Sequence, residues 1–220
     1  MKTTISIFAI AAIAGTGLAG TNLAANGGFE SGTGADSDNW NEFSGGAAGT
    51  ASARSSNSPL AGGWSHELNA VGSDGAGAFA GINYNSIADG GFASLAESSV
   101  VNLTFDAETN FGPGGVGFYA LRILNSDGGI VADTGLQNLA PSGTNSYDIS
   151  INVPLFDAAP NDTYAAFVEI VTNAGGFDGS EAFARVDNVV LTGTLVPAPA
   201  GLAALGLGGH VATRPRRKTS

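Results

Sequence analysis

The chain has 220 residues, 34 of them glycine; 43 % are hydrophobic, only 12 % are charged, and the formal net charge is −11. The apolar share excludes a disordered low-complexity chain, which lacks the surface to offset ordering entropy, and the absence of cysteine excludes disulfides, zinc–thiolate sites, iron–sulfur clusters and thiol catalysis. All 19 acidic residues lie between Glu30 and Asp187 beside only Arg54, Arg122 and Arg185, leaving −16 on that segment; such a surface excludes nucleic acid and anionic membrane as partners and suits solubility outside the cell or calcium binding.

The first residues read as a secretory signal. Lys2 supplies the positive start, Ile5 to Ala14 the apolar run, and Gly17-Leu-Ala19 the small residues before a cut after Ala19. Residues 1–19 are therefore expected to form a signal helix, removed on export. From there strands are expected. Ala51 to Ser55, Ser65 to Val71 and Ala78 to Asn83 are the weaker candidates. Val101 to Phe105 alternates apolar and polar, as a strand with one buried face does. Val116 to Leu124 and Tyr164 to Val171 are more continuously apolar, as expected of central strands covered on both faces. Asn125-Ser-Asp-Gly-Gly129 is a turn. Tyr147 to Val153 alternates cleanly. Ala182 to Leu191 alternates until Asp187-Asn188, where the period slips and a bulge or ligand position is expected. No stretch between the two ends has a convincing helical period. Residues 20–195 thus read as one all-β domain, an antiparallel β-sandwich.

The last 25 residues, 196–220, have three parts: a Pro-Ala-Pro turn at Pro197 and Pro199, an apolar run from Ala200 to Val211, and a basic cluster of Arg214, Arg216, Arg217 and Lys218. The run of about 12 residues is short beside the roughly 20 that a spanning helix needs. It is expected to be a short hydrophobic helix that anchors only transiently, with the cations left in the cytoplasm. Val196-Pro-Ala-Pro-Ala200, the apolar run and the basic end, in that order, resemble a PEP-CTERM sorting signal of the Val-Pro-Ala-Pro-Ala type, found in bacteria that make exopolysaccharide. The resemblance implies recognition and cleavage by an exosortase-type membrane enzyme. Ala198 stands where the name-giving Glu would be, and His210 and Thr213 interrupt the apolar run.

A second resemblance rests on two segments. Asn26-Gly-Gly-Phe-Glu-Ser-Gly32 followed by Trp40 is similar to the opening of galactose-binding-like jelly-roll domains, which include carbohydrate-binding modules. Phe183-Ala-Arg-Val-Asp-Asn-Val-Val-Leu191 is similar to their closing strand. The resemblance implies that the two segments meet in space and that a structural calcium ion ties them together. Its matching carboxylates here are Glu30 and Asp187, with Glu67 as a third. Calcium takes about six to eight oxygen ligands, carboxylates and carbonyls mixed, and the neighbouring glycines would let carbonyls turn inward.

Sugar binding needs aromatic faces for pyranose rings and polar groups for hydroxyls. Trp40, Trp64, Tyr84, Phe111 and Tyr119 are the aromatic candidates. Trp64 and Tyr84 lie in Gly- or Asn-rich stretches and suit loops, whereas Trp40 and Tyr119 also suit a core. The acids from Asp36 to Glu42 lack the glycine of an EF-hand loop and read as a solvated loop. No nucleophile elbow, metalloprotease helix or P-loop is present, and His66 is the single histidine of the domain. The expectation is a non-enzymatic protein of the cell surface or polysaccharide matrix, structural or weakly carbohydrate-binding. A dedicated carbohydrate-binding module and a cryptic glycan hydrolase or lyase are the alternatives.

Overall fold

The computed structural model describes residues 21–155 and 163–196. The signal segment and the sorting tail with Pro197, Pro199, Arg214, Arg216 and Arg217 lie outside these residues, and so do the two helices expected there.

Thirteen strands run through the described residues: β1 (Gly32–Thr33), β2 (Asp36–Ser37), β3 (Asn41–Gly45), β4 (Ala51–Ser55), β5 (Ser65–Val71), β6 (Ala78–Asn85), β7 (Val100–Phe111), β8 (Gly115–Leu124), β9 (Ile130–Asp133), β10 (Gln137–Asn138), β11 (Ser142–Asn152), β12 (Ala165–Ala174) and β13 (Glu181–Thr192). Every strand expected from alternation is present. The front sheet has the order β10-β8-β12-β6-β3, with β9 also on β8, and the back sheet the order β11-β7-β13-β5-β4. All pairings are antiparallel. β1 and β2 form a small ribbon.

The alternating apolar residues meet between the sheets. Leu103 and Phe105 of β7, Leu68 of β5 and Val186 of β13 face Leu121 and Ile123 of β8, Val168 and Ile170 of β12, and Ile82 of β6. Each such side chain contributes about 1.5–3 kcal/mol by leaving water.

The slip at Asp187-Asn188 is a β-bulge. Asp187 pairs with Asp106 and Val190 with Thr104, so three steps on β13 oppose two on β7. Asn188 takes a φ of 52°. Ala182, Ala184 and Val186 are buried before the bulge, Val189 and Leu191 after it. Asp187 keeps the outward parity of Phe183 and Arg185, and the extra residue after it switches the buried parity so that Val189 and Leu191 face the core.

The opening segment does meet the closing strand, though as irregular backbone. Leu23 donates to the Leu191 carbonyl at 2.6 Å, and Val189 donates to the Gly27 carbonyl at 2.8 Å. A Cβ at Gly27 would overlap the Val189 carbonyl, which is why glycine is required at this approach.

Candidate functional site

The outer face of the front sheet carries an aromatic array. Ladder registers place Phe43 of β3, Gly81 of β6, Val171 of β12 and Phe118 of β8 in one row across the strands. The next row holds Gly45, Phe79, Asn173 and Val116. On the other side come Asn41, Asn83 and Glu169, then Asn85, Phe167, Arg122 and Asp133. Glycine makes the array possible. A Cβ at Gly81 would overlap the Phe43 ring, and one at Gly45 would sit 2.8 Å from the Phe79 ring. The rings of Phe43 and Phe79 lie 6.3 Å apart. Phe79 is 43 % and Val116 44 % exposed.

This corrects the reading of β8 and β12 as strands covered on both faces. Their continuous apolar character is real, but no described strand lies over the second face. Phe118, Phe167 and Val171 are half-buried there. Polar groups frame them. The Arg122 guanidinium bonds Glu169 at 2.6 Å and Asp133 at 3.4 Å. The face thus offers apolar rings flanked by amides and one charged cluster.

The carboxylates named from sequence lie on the opposite sheet. Oε1 of Glu30 accepts the amides of Gly63 at 2.8 Å and Trp64 at 3.3 Å. Asp187 accepts Ala61 N–H through Oδ2 at 2.8 Å and Asn188 N–H through Oδ1 at 2.7 Å. A Cβ at Gly28 would be 3.9 Å from both Asp187 Oδ1 and the Glu30 methylene carbon Cγ, whereas the Glu30 carboxylate itself lies against Gly62 and Gly63. Asp187 is 1 % exposed. Burial raises its carboxyl above the usual range, and Glu30 and Asp106 push it the same way. Ser65 precedes His66, whose register partner Val186 precedes Asp187. Its hydroxyl is buried with no hydrogen-bond partner among the described residues. Asp187, buried and raised further by the nearby Glu30, is a carboxyl whose charge a cation would relieve.

Two expectations about this cluster change. Glu67 leaves the set, because its Oε1 pairs with Arg185 Nη2 at 3.0 Å, and Arg185 also pairs with Glu108. Among the described residues no group of three or more His, Asp or Glu could hold a metal. Nor do the opening carbonyls all turn toward the carboxylates. The buried Arg54 guanidinium takes those of Phe29, Glu30 and Gly32.

The aromatic candidates divide. Tyr84 is wholly buried, and its hydroxyl donates to Leu23 O at 2.7 Å and accepts from Ala25 N. Trp40 packs on Phe29 and Tyr84, and its indole nitrogen donates to Ala25 O at 3.2 Å. Neither has a face left for a sugar, which overturns their assignment as binding residues. Tyr119 likewise joins the core beside Phe105 and Tyr147, and Phe111 packs against it, half-buried. Trp64 is half-buried under Arg54, whose guanidinium carbon lies 3.7 Å from its ring centroid. The rings of the front face were missed because phenylalanine in a strand reads as core. The available signal was the second apolar set of β8 and β12, on the face that alternation leaves polar.

His66 is buried between Ser37 and Ser52, each hydroxyl 2.9 Å from one ring nitrogen. Burial lowers its pKa to about 3. It is therefore neutral at physiological pH, and Glu42 at 3.7 Å forms no true ion pair with it. A shallow groove on the back sheet is lined by Thr104, Asp106, Ser146, Asp148 and Asn188. Ser146 and Asn188 already bond Asp106 there, at 2.5 and 2.9 Å, so those polar groups are satisfied internally.

Neither models of known protein families nor the curated protein sequences match this chain. Solved structures do. The enzymatically active domain of bacteriophage CBA120 tailspike protein 4 is 21 % identical with a TM-score of 0.53; the match covers 79 % of this chain and 21 % of that one, so this chain spans about a fifth of its length. A cyclase from Fischerella sp. TAU is 16 % identical with a TM-score of 0.50, over 79 % of this chain and 96 % of that one. The carbohydrate-binding module TmCBM61, solved with β-1,4-galactotriose, is 16 % identical with a TM-score of 0.46, over 78 % and 97 %. At these identities the likeness is one of fold: this chain shares the antiparallel β-sandwich.

Proposed function

We propose that this chain is an exported carbohydrate-binding protein of the bacterial cell surface or exopolysaccharide matrix. Its glycan lies across the outer face of the front sheet. The observation that carries the reading is the row Phe43–Gly81–Val171–Phe118, with Phe79 and Phe167 in the rows beside it. Four strands span about 14 Å at the usual spacing, enough for an oligosaccharide. Rings give apolar area to the C–H faces of sugars, and the amides of Asn83 and Asn173 offer both donors and acceptors to hydroxyls, while Asn41 is held by Asp89 and Asn85 by the amides of Ile87 and Ala88.

Binding without cleavage is the simpler chemistry for this face. Its carboxylates Glu169 and Asp133 are both engaged by Arg122, whereas glycoside hydrolysis needs one free carboxylate and one free carboxylic acid across the bond. Export and sorting rest on the sequence of 1–19 and of 196–220. An exosortase-type enzyme is the processing partner, membrane anchoring through the tail is transient, and 20–195 is the mature domain. A structural calcium ion at Glu30 and Asp187, with Ser65 as a third oxygen, would fasten the opening segment to β13. It would supply the positive charge that Asp187 lacks.

The test is retention of the full chain on gels containing neutral polysaccharides: β-1,4-galactan, xylan and β-glucan. Retention by at least one is expected, with a loss of about tenfold or more in Phe118→Ala, since burying a phenylalanine ring is worth about 1.5–3 kcal/mol. Unretarded migration on all three, or equal retention of the Phe118→Ala variant, overturns the reading.

A further inference from the structure

Beyond the rows of the front face, the loop between β12 and β13 carries Phe177, 45 % exposed. Its ring rests on glycine. A Cβ at Gly114 would meet the ring edge at 2.6 Å and the Ser180 hydroxyl at 3.0 Å; one at Gly175 would meet the same two at 3.0 and 3.4 Å. Ring edge and hydroxyl therefore share one floor. That floor is held by Gly175 N–H to Gly114 O at 3.0 Å and by Gly72 N–H to Ser180 O at 2.9 Å. Ser180 is wholly buried, and its Oγ has no hydrogen-bond partner among the described residues.

A buried hydroxyl without a partner is costly and rare in native structures. Here the group beside it is an exposed aromatic ring on a surface loop, of the kind whose side chain reorients readily. The place is also continuous with the front face. Asn173 and Val116 of the Phe79 row stand two residues from Gly175 and Gly114 along their own strands.

We propose that Phe177 and Ser180 form an end subsite for one pyranose ring of a neutral glycan. The sugar stacks against Phe177 and Phe79, the Phe177 ring shifts off its floor, and the Ser180 hydroxyl donates to a sugar oxygen. The ligand favours the shifted state because only there does the hydroxyl gain a partner. Asp74, Asp178 and Glu181 are exposed around the loop, so their charge disfavours a uronic acid at this position. The inference rests on the glycan-binding reading of the front face.

The full chain is compared with Ser180→Ala, Phe177→Ala and Phe118→Ala on β-1,4-galactan, xylan, β-glucan and polygalacturonate, with melting temperatures taken alongside. Ser180→Ala is expected to weaken binding of a neutral glycan about fivefold to tenfold, the effect of one hydrogen bond, while its melting temperature stays equal or rises because an unsatisfied group is removed. Phe177→Ala is expected to lose about tenfold. If both bind like the parent while Phe118→Ala fails, the subsite is overturned and the face stands. If the parent retains no neutral glycan, both fall. Tighter binding of polygalacturonate than of any neutral chain overturns the neutral assignment.

Discussion

Asp187 and His66 are two buried titratable residues whose folded environments disfavour their charged forms. For Asp187 the folded pKa is raised, first by burial. Its contribution to stability is thus present below the unfolded carboxyl pKa and lost as pH rises through the folded one. A calcium ion would reverse that loss at neutral pH. Thermal melts with calcium and with chelator should differ for the parent by several degrees. In Asp187→Asn the calcium-free melt should be roughly that of the parent, because one lost backbone acceptor offsets the relieved charge, and the calcium shift should vanish. A parent midpoint indifferent to calcium removes the metal. For His66 the sign is set by a folded pKa of about 3 against roughly 6.5 in the unfolded chain. The unfolded state takes up the proton first, so stability holds above pH 6.5 and falls as pH drops toward 3. Denaturant titrations from pH 7 to 4 should show this fall. In His66→Gln it should be shallower by about 1 kcal/mol or more per pH unit, from a lower value at pH 7 because one bond to Ser37 or Ser52 is lost. Parallel pH profiles for the two proteins would refute the assignment.

Elements are joined in this fold at positions where backbone touches backbone. The opening segment reaches β13 through Gly27, where a Cβ would overlap the Val189 carbonyl, whereas at Gly28 the nearest atoms would be in ordinary contact at 3.9 Å. Gly27→Ala should therefore cost about 2–3 kcal/mol through forced displacement, and Gly28→Ala should stay within about 0.5 kcal/mol. Urea midpoints measure both; equal midpoints would mean that the segment can move away from β13 without penalty. The β13 bulge belongs to the same scale. Asp187 already faces outward before it, and its extra residue places Val189 and Leu191 in the core. This much was legible in the sequence, because the parity of buried residues changes visibly within AFARVDNVVL. The short strands β1, β2, β3, β9 and β10 were not legible, since runs this short carry too little alternation to separate from loop; Asp36 to Glu42, read as a solvated loop, supplies β2 and the start of β3, with Ser37 and Trp40 buried.

At the scale of the whole molecule the charge is one-sided. The segment from Glu30 to Asp187 holds −16, and Arg122 and Arg185 pair with four of its acids, Glu169, Asp133, Glu67 and Glu108. The remaining carboxylates repel one another across the surface. Raising sodium chloride from 0.02 to about 0.3 M shortens the screening length severalfold. The calcium-free melting temperature should rise with it by roughly 2–4 °C, as about 1 kcal/mol does in a domain of this size. A fall would show that the four ion pairs outweigh the repulsion. Each sheet, meanwhile, has one face in the shared core, and the two outer faces differ. The back one carries the Arg185 ion pairs; the front one carries the phenylalanines.

The long strands and the bulge were determined by local pattern, because the direction of a side chain on a strand depends only on its parity; the meeting of the opening segment with β13 was expected from the resemblance of the two segments to a known fold, not from pattern. The fate of individual aromatic and acidic residues was decided by long-range pairing. Trp40 and Tyr84 became core because β3 and β6 lie beside each other above Phe29. Glu67 was taken by Arg185, a strand away and 118 residues distant in sequence. The second apolar face of β8 and β12 has no further layer over it among the described residues. Hydrophobic periodicity tells which residues share a face, and only tertiary structure tells whether anything covers that face.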